Sequence, residues 1–167
     1  MMAVAWALAA SIGSSHAQTA DAKLDAFFKA YLDEYLRQRP LEATRLGDHR
    51  FDAYMDDISK PARDGWLARA RKTLRELPRV VEYRQLSRDS QIDFEIWKHE
   101  LTTTIWQAEN TRPFEDDPRV YNDYLNDSVF ILLVQSTQPK ETNVAHCLAR
   151  MAQMTKMVVG SGVVYGD

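Results

Sequence analysis

From Leu24 the apolar residues fall at Leu24, Phe27, Phe28, Tyr31, Leu32, Tyr35 and Leu36. Steps of three and four line one side of an α-helix and cannot line one face of a strand. The residue before a proline is driven out of the helical region, so Gln38-Arg39-Pro40 ends this helix; Pro40 then opens a short one through Leu46 that Gly47 closes. A third helix is expected after Ser59, with Pro61 in its first turn and Trp66, Ala70, Leu74 and Leu77 on one face, until Pro78 interrupts it. Ser87 is placed to cap a fourth, in which Ile92, Phe94, Ile96, Trp97, Leu101 and Ile105 form a face broad enough for two neighbours.

Residues 110–118 hold two prolines and three consecutive acids, Glu115, Asp116 and Asp117, and read as a loop. Helical spacing resumes at Tyr121, Tyr124, Leu125, Val129, Leu132 and Leu133, although the six apolar residues from Val129 to Val134 also suit a buried strand. Helix is favoured, because a strand needs a partner and the chain offers no second convincing one. Pro139 opens a last helix with Val144, Cys147, Leu148, Met151, Met154 and Val158 on its apolar face. With short connections and no internal repeat, the expectation is an all-α bundle of about five to six helices.

The ends read differently from the middle. The run from Ala3 to Ile12 is apolar apart from Ser11, and small residues lead to a cut after Ala17, the pattern of a secretory signal in residues 1–17. A membrane-spanning helix needs about 20 apolar residues, so no span is expected once the signal is cleaved. Only Met1 and Met2 precede the run, where a signal normally opens with Lys or Arg, which points to a true start further upstream. The mature helical domain then covers 18–158. Residues 159–167 carry three glycines without helical period and read as a flexible tail or, more in keeping with the strong helix before them, as a truncation or frame error. Export implies a periplasmic or secreted protein, and Cys147, as the single cysteine, can form no internal disulfide. A net charge of -3 argues against a general nucleic-acid binder; the nine basic and three acidic residues between Lys60 and Arg88 read as a solvated helix face.

Candidate chemistry is sparse. His99-Glu100 is followed by Leu101, Thr102 and Thr103, so the second histidine of a His-Glu-x-x-His zinc helix is missing. Glu95 and His99, four apart, suit a surface ion pair better than a two-ligand metal site. In Asp48-His49-Arg50 a carboxylate beside an imidazole can tune a general base, but no nucleophile is tied to it, and capping or bracing by the charged groups is the plainer reading. His146 and Cys147 point about 100° apart on a helix, and Cys147 belongs to the apolar stripe, which makes it a buried, inert thiol. Tyr31, Tyr35, Tyr121 and Tyr124, spaced as core residues, are alternatively pocket lining. No phosphate loop, nucleophile elbow or cysteine pair is present, so no catalytic, cofactor-binding or metal-ligating residue is assigned.

One stretch carries a resemblance. Pro40-Leu41-Glu42-Ala43-Thr44-Arg45-Leu46-Gly47, followed by Asp48-His49-Arg50-Phe51-Asp52 and preceded by the helix ending Tyr31-Leu32-Asp33-Glu34-Tyr35-Leu36, resembles the opening of the bacterial domain-of-unknown-function (DUF) 885 family. Gln91-Ile92-Asp93-Phe94-Glu95 fits a later Asp-containing helix of that family. The likeness covers about Leu24 to Val158 but only the N-terminal part of the family pattern. It implies a larger, mostly helical, zinc-metallopeptidase-like hydrolase with its His-Glu-x-x-Pro-Gly-His motif in a C-terminal half. That motif is absent from this sequence, so the resemblance places no catalytic or metal residue here. The resemblance implies zinc for the full-length protein only, and as partners the C-terminal half and a peptide substrate.

Overall fold

In a computed structural model the backbone is described for residues 5–160 and the side chains for residues 19–156. Seven α-helices follow one another: α1 Ala5–Gln38, α2 Pro40–Arg45, α3 Lys60–Val80, α4 Arg88–Asn110, α5 Pro113–Asp116, α6 Arg119–Val134 and α7 Lys140–Gly160. Single 3₁₀ turns lie at His49–Phe51 and Tyr83–Gln85. No strand occurs among the described residues, and Val129–Val134 is helical. The fold is therefore all-α, with five long helices and two of six residues or fewer.

The chain divides into two compact units. The first draws on the stretch up to Tyr31 and on Leu67–Asn110. Its core joins Ala20 and Leu24 of α1, Leu77 of α3, Val81, Leu86 and Phe94 of α4. Trp97 stacks on Phe28 at 4.9 Å and takes the edge of Tyr31 at 4.7 Å, geometries that add to simple area burial. Ser87 caps α4 as expected, its Oγ accepting from the Ser90 amide at 3.3 Å, while its own amide donates to Asp21 on α1. That contact holds the Asp21 carboxyl below its ordinary range against the opposing effect of burial.

Three expectations are corrected here. Pro78 does not stop α3, which runs on to Val80: a proline this close to the C-terminus removes one amide bond with few turns left to disrupt. Residues 110–118 are not wholly loop, since Pro113 opens the single turn α5. On α4 Phe94 and Leu101 are buried, but Ile92 and Ile96 face solvent, so the apolar face is narrower than its sequence suggested. Leu32 on α1 is likewise exposed.

The second unit comprises Leu32–Trp66 and the stretch from Thr111 onward. Ile58 and Tyr121 are buried at its centre, with Met55, Trp66, Phe114, Tyr124 and Leu125 packed around them. The Tyr121 hydroxyl donates to the Phe114 carbonyl at 2.8 Å, satisfying its polar end. The α2 helix ends in two reversed amide bonds, Gly47 N to the Thr44 carbonyl and Asp48 N to the Ala43 carbonyl, with Gly47 at φ 80°. This Schellman arrangement needs a left-handed residue, which explains the glycine. The apolar run of residues 3–12 begins outside the described residues and enters α1; of the tail expected at 159–167, residues 159 and 160 still belong to α7, and the rest lies outside the described residues. No helix among the described residues is long and apolar enough to cross a membrane.

Candidate functional site

The α7 helix buries only part of the stripe its sequence announced. Cys147 is buried as expected, but Val144, Leu148 and Met151 point outward, and the buried companions of Cys147 are Asn143 and Arg150. The reason is the partner surface. Arg150, fully buried, donates through Nη1 to the Ser128 carbonyl of α6 at 3.0 Å and through Nη2 to Thr44 Oγ1 of α2 at 2.6 Å. Thr44 Oγ1 in turn donates a hydrogen bond to Asp52 Oδ1, 2.6 Å away. The remaining oxygen of Asp52 meets His49 Nδ1 at 2.8 Å and lies 3.8 Å from His146 Nδ1. A polar cluster thus ties α2, the 3₁₀ turn and α7 together.

Its electrostatics follow from burial. A buried charge needs partners, and Asp52 has Thr44 and His49. Burial pushes the Arg150 guanidinium below its ordinary range, while Asp52 and Asp56 act to raise it. Cys147 sits beside Arg150 with its thiol pushed up by burial, consistent with an unreactive core residue.

Asp48, His49 and Arg50 part company. Asp48 caps the 3₁₀ turn by accepting from the Arg50 amide at 3.2 Å and grips the Arg50 guanidinium, which also reaches Asp33 at 2.6 Å. Those hydrogen bonds hold the Asp48 and Asp33 carboxyls below the usual range and raise Arg50. The Asp48–Arg50 pair is a brace. His49 turns instead to Asp52, three positions on, and its Nε2 lies 3.3 Å from Thr137 Oγ1 in the loop before α7. Glu95 and His99 are both exposed on α4, and no ion pair joins them. Along the basic stretch, Lys60, Arg63, Arg71 and Lys72 pair with Asp64, Glu115, Glu109 and Glu76.

A second polar feature is a cavity of about 230 Å³ beside α2 and α6, lined by Arg39, Arg45, Asp56, Asp123 and Tyr124 among others. Asp56 is buried and its Oδ1 accepts from the Leu41 amide at 3.0 Å, yet desolvation still lifts its carboxyl to about 6. Tyr124 is raised to about 12, chiefly by burial and then by the nearby Asp56. Arg45 spans from Glu42 to Asp127, and Arg39 lies over Trp66 at 4.4 Å. Of the four tyrosines singled out, Tyr121 is core, Tyr31 packs on Trp97, Tyr35 lies under Arg39, and Tyr124 lines this cavity.

No group of three or more His, Cys, Asp or Glu among the described residues is arranged to hold a metal ion. The model of a family described as bacterial protein of unknown function (DUF885) matches residues 40–161. No curated protein and no solved structure matches the chain.

Proposed function

The chain belongs to the DUF885 family, and on that footing we propose that it is the helical N-terminal segment of an exported zinc-metallopeptidase-like hydrolase, without peptidase activity by itself. The zinc and its His-Glu-x-x-Pro-Gly-His motif reside in a C-terminal half, against which this segment packs as one wall of the peptide cleft. The observation that carries this reading is the outer surface of α6 and α7. Phe130, Leu133 and Val134 on one helix, and Val144, Leu148 and Met151 on the other, are 42–63% exposed. Exposed apolar side chains of this size, where they adjoin, are the mark of an interaction surface. A cut after Ala17 accords with this picture, since it leaves the buried Ala20 and Leu24 in place.

The segment starting at Gln18, purified and assayed for bound zinc and for hydrolysis of a peptide library, is expected to hold no stoichiometric zinc and to cleave nothing. One zinc per chain accompanied by peptide hydrolysis contradicts the reading. A second reading, a stand-alone helical periplasmic binding module, draws support from the polar cavity beside α2 and α6. That reading requires a monodisperse mature segment that melts in a single transition, whereas a half-protein with an uncovered apolar surface self-associates.

A further inference from the structure

The outer end of the Asp52 cluster has an order that bracing alone does not require. Asp52 is fully buried, with Oδ1 accepting a hydrogen bond from Thr44 Oγ1, so Oδ2 is a fixed acceptor at 2.8 Å from His49 Nδ1. An acceptor there sets the imidazole proton on Nδ1 and leaves the Nε2 lone pair directed away from Asp52. Thr137 Oγ1 stands on that side, 3.3 Å from Nε2. The threonine is exposed in the loop between α6 and α7, and the His49 side chain is 22% exposed, so a reagent can reach both. A hydroxyl within reach of a base that a third group orients is the arrangement of an activated nucleophile.

We propose that Thr137, His49 and Asp52 form a hydroxyl–imidazole–carboxylate relay in which Thr137 Oγ accepts an acyl group from activated esters. Thr137 Oγ forms a bond to the acyl carbon as its proton passes to His49 Nε2. The ester C–O bond breaks, and the departing alkoxide leaves as the alcohol with the proton from His49. Water, deprotonated by the same nitrogen, then cleaves the acyl-threonine and restores the hydroxyl. Asp52 is a positioning residue that fixes the imidazole tautomer. This chemistry uses no metal and is independent of the zinc-peptidase reading.

The test treats the full chain with p-nitrophenyl acetate in the presence of a chelator, following nitrophenolate release and intact mass. The expected result is one acetyl group per chain mapped to Thr137. Thr137→Ala and His49→Gln each slow release by about a hundredfold or more, the range of a positioned base, and Thr137→Ser retains it. Thr137→Ala removes only an exposed hydroxyl, so it decides the matter even if His49→Gln fails to fold. For Asp52→Asn the readout is the ¹⁵N spectrum of His49, expected to move from an Nδ1-protonated to an Nε2-protonated pattern. Acetylation confined to lysines, or release unchanged in Thr137→Ala, overturns the proposal.

Discussion

Asp56 shows how a single buried carboxyl sets a pH dependence. Its folded value of about 6 lies above the ordinary 3.8, because desolvation outweighs the Leu41 amide and the nearby arginines. Below pH 3.8 both folded and unfolded chains keep the proton and nothing is lost. Between 3.8 and about 6 the unfolded chain ionises first, and above 6 the fold carries the whole cost, about 3 kcal/mol. Asp56→Asn keeps an oxygen for the Leu41 amide and removes the ionisation. Urea unfolding is therefore expected to show the variant more stable by up to about 3 kcal/mol at pH 7 and no gain below pH 3.8. At this scale the sequence was only half legible. The pattern Asp48-His49-Arg50 drew notice, but the carboxylate serving His49 is Asp52, three positions on, and its other neighbours Arg150 and His146 arrive from α7. No local spacing encodes a contact across roughly a hundred residues.

Helices were the legible level, since a 3.6-residue period and its proline and glycine punctuation act locally. The turn after α2 follows from Gly47 at φ 80°, where an added Cβ would meet no atom within 4 Å. Gly47→Ala is thus expected to cost about 1 kcal/mol from backbone conformation alone, read as a lowered denaturation midpoint with unchanged slope. Leu77 is fully buried in the first core, and Leu77→Ala should cost about 2–5 kcal/mol by the same measurement. Periodicity failed where it assumed that the apolar stripe faces inward. On α7 Cys147 faces inward as expected, but beside it are Asn143 and Arg150, because α2 and α6 present a hydroxyl and a carbonyl to the guanidinium. Val144, Leu148 and Met151 are left outside.

At the scale of the molecule, those outward residues and Phe130, Leu133 and Val134 of α6 are the exposed apolar side chains on which the functional reading rests. Phe130→Lys combined with Leu148→Lys is expected to lower hydrophobic-dye binding and self-association of the mature segment, seen by light scattering, while moving its melting temperature little. Equal dye binding and scattering in the variant would place the stickiness elsewhere. The family match over residues 40–161 and the all-α architecture were both anticipated from the Pro40–Asp52 stretch and the helical spacing. The most direct test of the proposed function is the native protein's size in its source cells, by immunoblot with antibodies to this segment and mass spectrometry of the band. The account predicts a protein several hundred residues long whose peptides include a His-Glu-x-x-Pro-Gly-His sequence; a band no larger than the 167 residues here, without that peptide, would contradict it.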